Sequence, residues 1–248
     1  MFDWYWAILY GFLVHVFVVT WGSIFLHRVY AHRQLNCTPM VDNIGRVLLW
    51  SVGIYWPAFA RTWAAVHRKH HNNSDSIEDP HSPTIYSFSE LLFPKTFSTP
   101  GKAYYMTPEL RDELASDVPL MNDKLDGFLM RYSSYGRLPW LLLALILFSW
   151  PGLLIEIVWM AFTRFSGRLH NVLSHNYGYR NEPPKMTGDR SVNIFPIGAL
   201  WGGEEFGANH HDYPWDAKFS RRWFEFDPAW PLIKLLEHFG QVEIIRPR

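Results

Sequence analysis

Leu138-Pro-Trp-Leu-Leu-Leu-Ala-Leu-Ile-Leu-Phe-Ser149-Trp150-Pro151-Gly152-Leu-Leu-Ile-Glu156-Ile-Val-Trp-Met-Ala-Phe-Thr163 is apolar from end to end apart from Glu156 and the Ser-Trp-Pro-Gly break near its middle. As a single membrane crossing it would put the two halves of the chain on opposite sides. As a hairpin turning at Pro151-Gly152, a natural turn pair, it returns the chain to the side it left. Each arm, 138–149 and 152–165, then has only about 12 strictly apolar residues, short for a ~30 Å hydrocarbon core. The arms must therefore extend through Tyr132, Tyr135 and Arg164. Charge decides between the two. Residues 1–27 and 138–163 contain no Lys or Arg, so under the hairpin all 23 basic residues fall on one side. The positive-inside rule makes that side cytoplasmic.

Working outward, residues 4–26 form a second uncharged run, interrupted only by His15. At 1.5 Å per residue it reaches about 35 Å, enough to span a bilayer core. Residues 47–60 are uncharged but shorter and contain Pro57, which suits a re-entrant or interfacial segment. Between and after these lie the polar, loop-rich stretches 61–137 and 166–248, the second ending in an amphipathic helix over Leu232 to Phe239. The expectation is one all-α integral membrane domain over 1–248, a transmembrane stalk under a cytoplasmic helical cap. No cleavable signal is expected, because the first apolar run is long and has no basic leader.

Composition narrows the chemistry. The 23 basic and 23 acidic residues cancel, which argues against a nucleic-acid partner. Aromatics are 17% of the chain, with 13 Trp, as in proteins with aromatic belts at membrane interfaces. The lone cysteine, Cys37, excludes an internal disulfide and a thiolate cluster. Histidine, with 12 residues, is the abundant ligand type.

His67-Arg68-Lys69-His70-His71 continues the helical pattern of Arg61 to Val66. At about 100° per residue, spacing i, i+3, i+4 puts the three imidazoles on one helical face, with Arg68 and Lys69 pointing away. Imidazole is the commonest metal ligand. His27 and His32, five apart, lie about 140° apart on an ideal helix and share a site only if the helix ends or loosens between them. With His175, His210 and His211 they make up eight candidate ligands on one side of the membrane, about right for two ions. A thiolate-free polyhistidine site suits iron that activates O2. Among the rest, His15 is expected to hydrogen-bond a neighbouring helix, His81 to orient a ligand, His170 to lie at an interface and His238 to have no partner.

The ordered set HxxxxH (His27, His32), HxxHH (His67, His70, His71), NxxxH (Asn171, His175) and a closing His210-His211 after Gly203-Glu-Glu205 resembles the membrane acyl desaturases of the stearoyl-CoA type. The short bacterial forms are the most similar. Glu78-Asp-Pro-His-Ser-Pro83, Gly178-Tyr-Arg-Asn181 and Arg222-Trp-Phe-Glu-Phe-Asp227 also look like family signatures. The resemblance implies two irons on the eight histidines, with Asn171 holding iron through a water. It also implies a stalk and cap around an apolar tunnel, O2 as co-substrate, and a cis double bond placed in a fatty acyl chain. The acyl group would ride on CoA, a carrier protein or a lipid, in a bacterial inner membrane. No haem, flavin or rubredoxin-type motif is evident, so an external donor of ferredoxin, rubredoxin or cytochrome b5 type is expected. The chain departs from the family in its third box. The family reads HxxHH there, but this chain has Gly207-Ala-Asn-His210-His211, with His170 or Glu204 as conceivable stand-ins. A related hydroxylase or acetylenase is the alternative enzyme, and Gly207 favours a third reading, a non-catalytic membrane homologue.

Overall fold

The computed structural model describes residues 4–53, 57–93, 106–118 and 123–245. In chain order these form α1 (Trp4–Gly22), a π-helical continuation (Ser23–Ala31), β1 (Leu35–Cys37), α2 (Pro39–Ser51), α3 (Pro57–Asn73), α4 (Phe88–Leu92), α5 (Pro108–Leu114), α6 (Lys124–Arg131), α7 (Leu138–Leu173), α8 (Gly207–Asp212), α9 (Ala229–His238) and β2 (Val242–Ile244). The protein is mainly helical. It is not purely so, because Leu35, Asn36 and Cys37 pair antiparallel with Ile244, Glu243 and Val242. Arg33, at φ 55°, turns the chain out of the helix and leaves an extended edge for the C-terminal strand to cover.

Two helical stretches, Trp4–Ala31 and Ser133–Leu173, are long and apolar enough to cross a membrane. The second is broken at Ser149, whose φ of 57° and ψ of −162° are non-helical, two residues before Pro151. Arg137 and Trp140 before the break line the same cavity as Glu156, Trp159 and Arg164 after it, together with Gly11, His15 and Val18 of α1. The two arms of α7 therefore lie side by side against α1. The Tyr10 hydroxyl donates to the Trp140 carbonyl (3.0 Å), and His15 Nδ1 lies 2.8 Å from Thr163 Oγ1. A Cβ on Gly11 would fall 2.1 Å from the Trp159 ring, so the glycine admits the indole against the helix backbone. Away from this contact, Trp6, Leu13, Ile146, Trp150 and Val158 face outward, Ile146 at 77% exposure. Apolar surface this extensive is unfavourable in water and suits lipid.

Residues 47–60 are not one element. They divide between the end of α2 and the start of α3, and 54–56 lie outside the described residues. Thr38 caps α2, its side chain accepting from Val41 N, with Pro39 in the first turn. The core surrounds the π-helix. Ile24, Phe25, Leu26, Val29 and Tyr30 pack with Leu49 of α2, Ala64 and Ala65 of α3, Leu129 of α6 and Ile233 of α9. Each of the Ile, Leu, Val and Phe side chains among these contributes about 1.5–3 kcal/mol on burial. Arginines tie the elements together. Arg46 joins α2 to α6 through Asp126 (2.8 Å) and Asp123 (2.9 Å). Arg68 of α3 donates to the carbonyls of Ala31 (2.6 Å) and Tyr30 (2.9 Å) at the end of the π-helix.

Candidate metal centre

The first histidine box depends on how the helix is wound. Over Ser23–Ala31 the winding is π, and His32 N donates to His27 O at 3.0 Å, an i→i+5 bond. Residues five apart then lie much closer around the axis than the roughly 140° that an α-helix imposes. The His27 and His32 rings come within 4.9 Å, centroid to centroid. The loosening that their spacing requires is thus a nine-residue π-helix, packed on all sides by the core.

His27, His32, His67, His71 and His210 form one group. The Nε2 atoms of His27 and His210 are 2.7 Å apart, those of His32 and His67 2.9 Å, and His210 Nε2 lies 3.0 Å from His71 and 3.1 Å from His32. Burial, then the neighbouring imidazoles, hold the pKa values of His32, His67, His71 and His210 well below the ordinary 6.5. Neutral rings have one proton each, so five converging nitrogens cannot all pair with one another. Lone pairs facing lone pairs repel unless a cation lies between them. Metal–nitrogen bonds of about 2.1 Å at right angles would put neighbouring donors about 3.0 Å apart, matching these spacings.

His70, His175 and His211 form a second group. His71 and His211 link the two, with ring centroids 4.3 Å apart. Each Nδ1 in the second group meets a carboxylate: His70 with Asp79 (2.8 Å), His175 with Asp75 (2.8 Å) and His211 with Asp189 (3.2 Å). That arrangement fixes the tautomer and turns Nε2 toward the centre of the group. Burial alone would raise the pKa of Asp189, but hydrogen bonds from His211, Ser191 and Ser74 outweigh it and bring it down. The same contest at Asp75 is decided by His175. In the first group, His27 Nδ1 meets Glu204.

The central box is therefore divided between the two groups. His67 and His71 enter the first group and His70 the second. His81 stacks on His70 at 4.2 Å between ring centroids, and its backbone N donates to Asp79 Oδ1 at 3.0 Å. Asn171 lies near the end of α7, one turn before His175. Neither proposed stand-in for position 207 is available. His170 Nε2 lies 2.8 Å from the Glu204 carbonyl, and the Glu204 carboxylate is taken up by His27 and Ser23. His238 is exposed on α9. The sequence reading missed the carboxylates. Asp75 and Asp79 stand within nine residues of the central box, in a polar stretch whose Asp and Pro residues also suit turns. No local signal marks Asp189.

Helices of membrane length ending on a buried polyhistidine pocket, with carboxylates behind the rings, define a membrane-type protein suited to metal ions. The chain belongs to the fatty acid desaturase family, whose model matches residues 3–243. It is 28% identical to the sn-1 stearoyl-lipid 9-desaturase of Anabaena variabilis, across 95% of this chain and 82% of that protein. It is 29% identical to the hex-5-enoyl-[acyl-carrier protein] acetylenase of Moorena producens, across 89% of this chain and 70% of that protein. With the acyl-CoA C20 Delta5-desaturase of Anemone leveillei it shares 33% identity over 72% of this chain and 54% of that protein.

Proposed function

We propose that this chain is an O2-dependent di-iron desaturase that introduces a cis double bond into a fatty acyl chain. The supporting observation is the convergence of five Nε2 atoms, at spacings suited to one ion, beside a second group of three carboxylate-backed histidines. His27, His32, His67, His71 and His210 would hold one iron. His70, His175 and His211 would hold the other, with Asn171 acting through a water. Bound iron supplies redox chemistry with O2 strong enough to remove hydrogen from an unactivated methylene.

The protein's own part is placement and protection. Asp75, Asp79 and Asp189 accept the Nδ1 protons and keep the rings aimed. Burial keeps His32, His67, His70, His71 and His210 neutral and therefore able to bind metal at neutral pH. The apolar faces of α1 and α7 suit a membrane-borne acyl chain and exclude water from the reacting methylenes. The acyl group is carried on CoA, a carrier protein or a lipid, and electrons come from an external ferredoxin, rubredoxin or cytochrome b5-type donor. The chain sits in a bacterial inner membrane with its histidines on the cytoplasmic side. The similarity to an acetylenase over most of the chain favours acetylenase activity as the second reading.

Lipid profiling after expression in a host lacking desaturases tests this reading. The wild-type chain should yield a new unsaturated acyl product, and His71→Ala none. His238→Ala, far from both groups in role and exposed, should match wild type. Normal product from His71→Ala removes the reading.

A further inference from the structure

Resting on the di-iron reading, we propose that the two positions bind metal unequally, the His70–His175–His211 position being the labile one because α8 presents Gly207 toward it. The asymmetry lies in the donors. Five imidazoles converge on the first position and three on the second. Three protein donors leave open coordination positions, and each missing donor weakens the hold on the ion.

Gly207 stands one helical turn before His210 and His211. A Cβ built there would lie 3.5 Å from the Cβ of Ser174, the neighbour of His175, and 3.0 Å from the Val192 carbonyl oxygen. A side chain at 207 would therefore emerge on the side of the second group. The Cβ by itself asks the Val192 backbone carbonyl to give by a few tenths of an ångström. With glycine, no donor enters from that direction.

Nearby groups do not replace it. His170 and Glu204 are engaged as described. The Glu205 carboxylate accepts from the backbone N–H groups of Leu200 (2.7 Å), Trp201 (2.9 Å) and Gly203 (3.1 Å). Asp75, Asp79 and Asp189 are held by imidazole Nδ1 atoms. The ligand atoms of His81 group with His70 and Asp79, not with His175 and His211. Among the described residues, the second position is left with its three histidines and whatever Asn171 holds through a water.

The test is anaerobic titration of the purified full chain with Fe2+ against a coloured chelator, repeated with Co2+, whose visible spectrum reports coordination. The expected result is one ion per chain bound tightly and a second bound at least about 10-fold more weakly, the scale on which even outer contacts of a metal site matter. Gly207→His should tighten the weaker step and leave the first unchanged. Gly207→Ala, which restores a Cβ without a donor, should not. In case Gly207→His disturbs folding, His70→Ala and His32→Ala assign the steps independently. His70→Ala should abolish only the weak step, and His32→Ala should weaken the tight one. Two equal steps in the wild-type chain overturn the proposal, as does loss of the tight step in His70→Ala. A folded Gly207→His that binds no better than Gly207→Ala overturns the role of position 207. Absence of any bound ion would sink the di-iron reading itself, an outcome distinct from two equal steps.

Discussion

Replacing Arg28 by Met should destabilise the protein more than any change at an exposed charge. Arg28 is wholly buried beside His27. Its Nη2 donates to Asp227 Oδ2 at 2.9 Å, its Nε donates to the Ala217 carbonyl at 2.9 Å, and Ser23 Oγ accepts from Nη1. The guanidinium lies 3.6 Å from the centre of the Phe219 ring. It joins the π-helix to the 217–227 segment and so holds the first histidine box in place. Burial pushes the Asp227 carboxyl up and Arg28 beside it pulls it down. Met keeps the apolar stem but leaves Asp227 without its cation. Breaking a buried pair from one side costs about 3–5 kcal/mol. At about 2–4 °C per kcal/mol for a chain of this size, the apparent Tm should fall by about 6–20 °C. Thermal unfolding in detergent, followed by tryptophan fluorescence, reads this directly. Arg28→Met combined with Asp227→Asn should be less unstable than the two single effects added, by roughly 0.5–3 kcal/mol. A fall of less than about 2 °C, or strict additivity, refutes the account of Arg28 as a buried tie.

Asp79→Asn keeps the side-chain shape but weakens the acceptor for His70 Nδ1 (2.8 Å) and for the backbone N of Asp75 (2.8 Å). Metal retained at the second group after dialysis should drop about 10–100-fold in affinity, and unchanged retention would contradict the positioning role. Gly11→Leu drives a side chain into Trp159 and should cost about 1–3 kcal/mol or more, with partial rescue by Trp159→Ala; a wild-type Tm for Gly11→Leu would mean that α1 and α7 do not pack here. For topology, a cysteine at Trp150 should react with an impermeant thiol reagent from outside the cell, and one at Asn72 should not. Reaction at Asn72 from outside would overturn the hairpin.

The apolar runs at 4–26 and 138–163 and the eight histidines are legible in the sequence, and so is a break in the second run. The chain turns at Ser149, however, and not at Pro151-Gly152, which start the second arm as helix. Hydrophobicity and ligand chemistry belong to single residues, and helical spacing follows from local geometry. That His15 hydrogen-bonds a neighbouring helix is legible too, because a polar group among apolar helices must find a partner, but that the partner is Thr163 is not. Tertiary structure decides how the histidines divide. His70 and His71 are neighbours in sequence, yet 100° apart around α3, so one helix serves two groups once other elements surround it. The π winding that aligns His27 with His32 is intrinsically disfavoured. It persists because the core packs around Ser23–Ala31 and Arg68 satisfies the carbonyls at its end. The carboxylates show the same limit. Asp189 reaches His211 only because the loop before α8 folds back onto it, and no spacing in the chain records a contact made by folding alone. At position 207 the sequence shows that a donor is absent, and only the packing of α8 against Ser174 and Val192 shows which group lacks it.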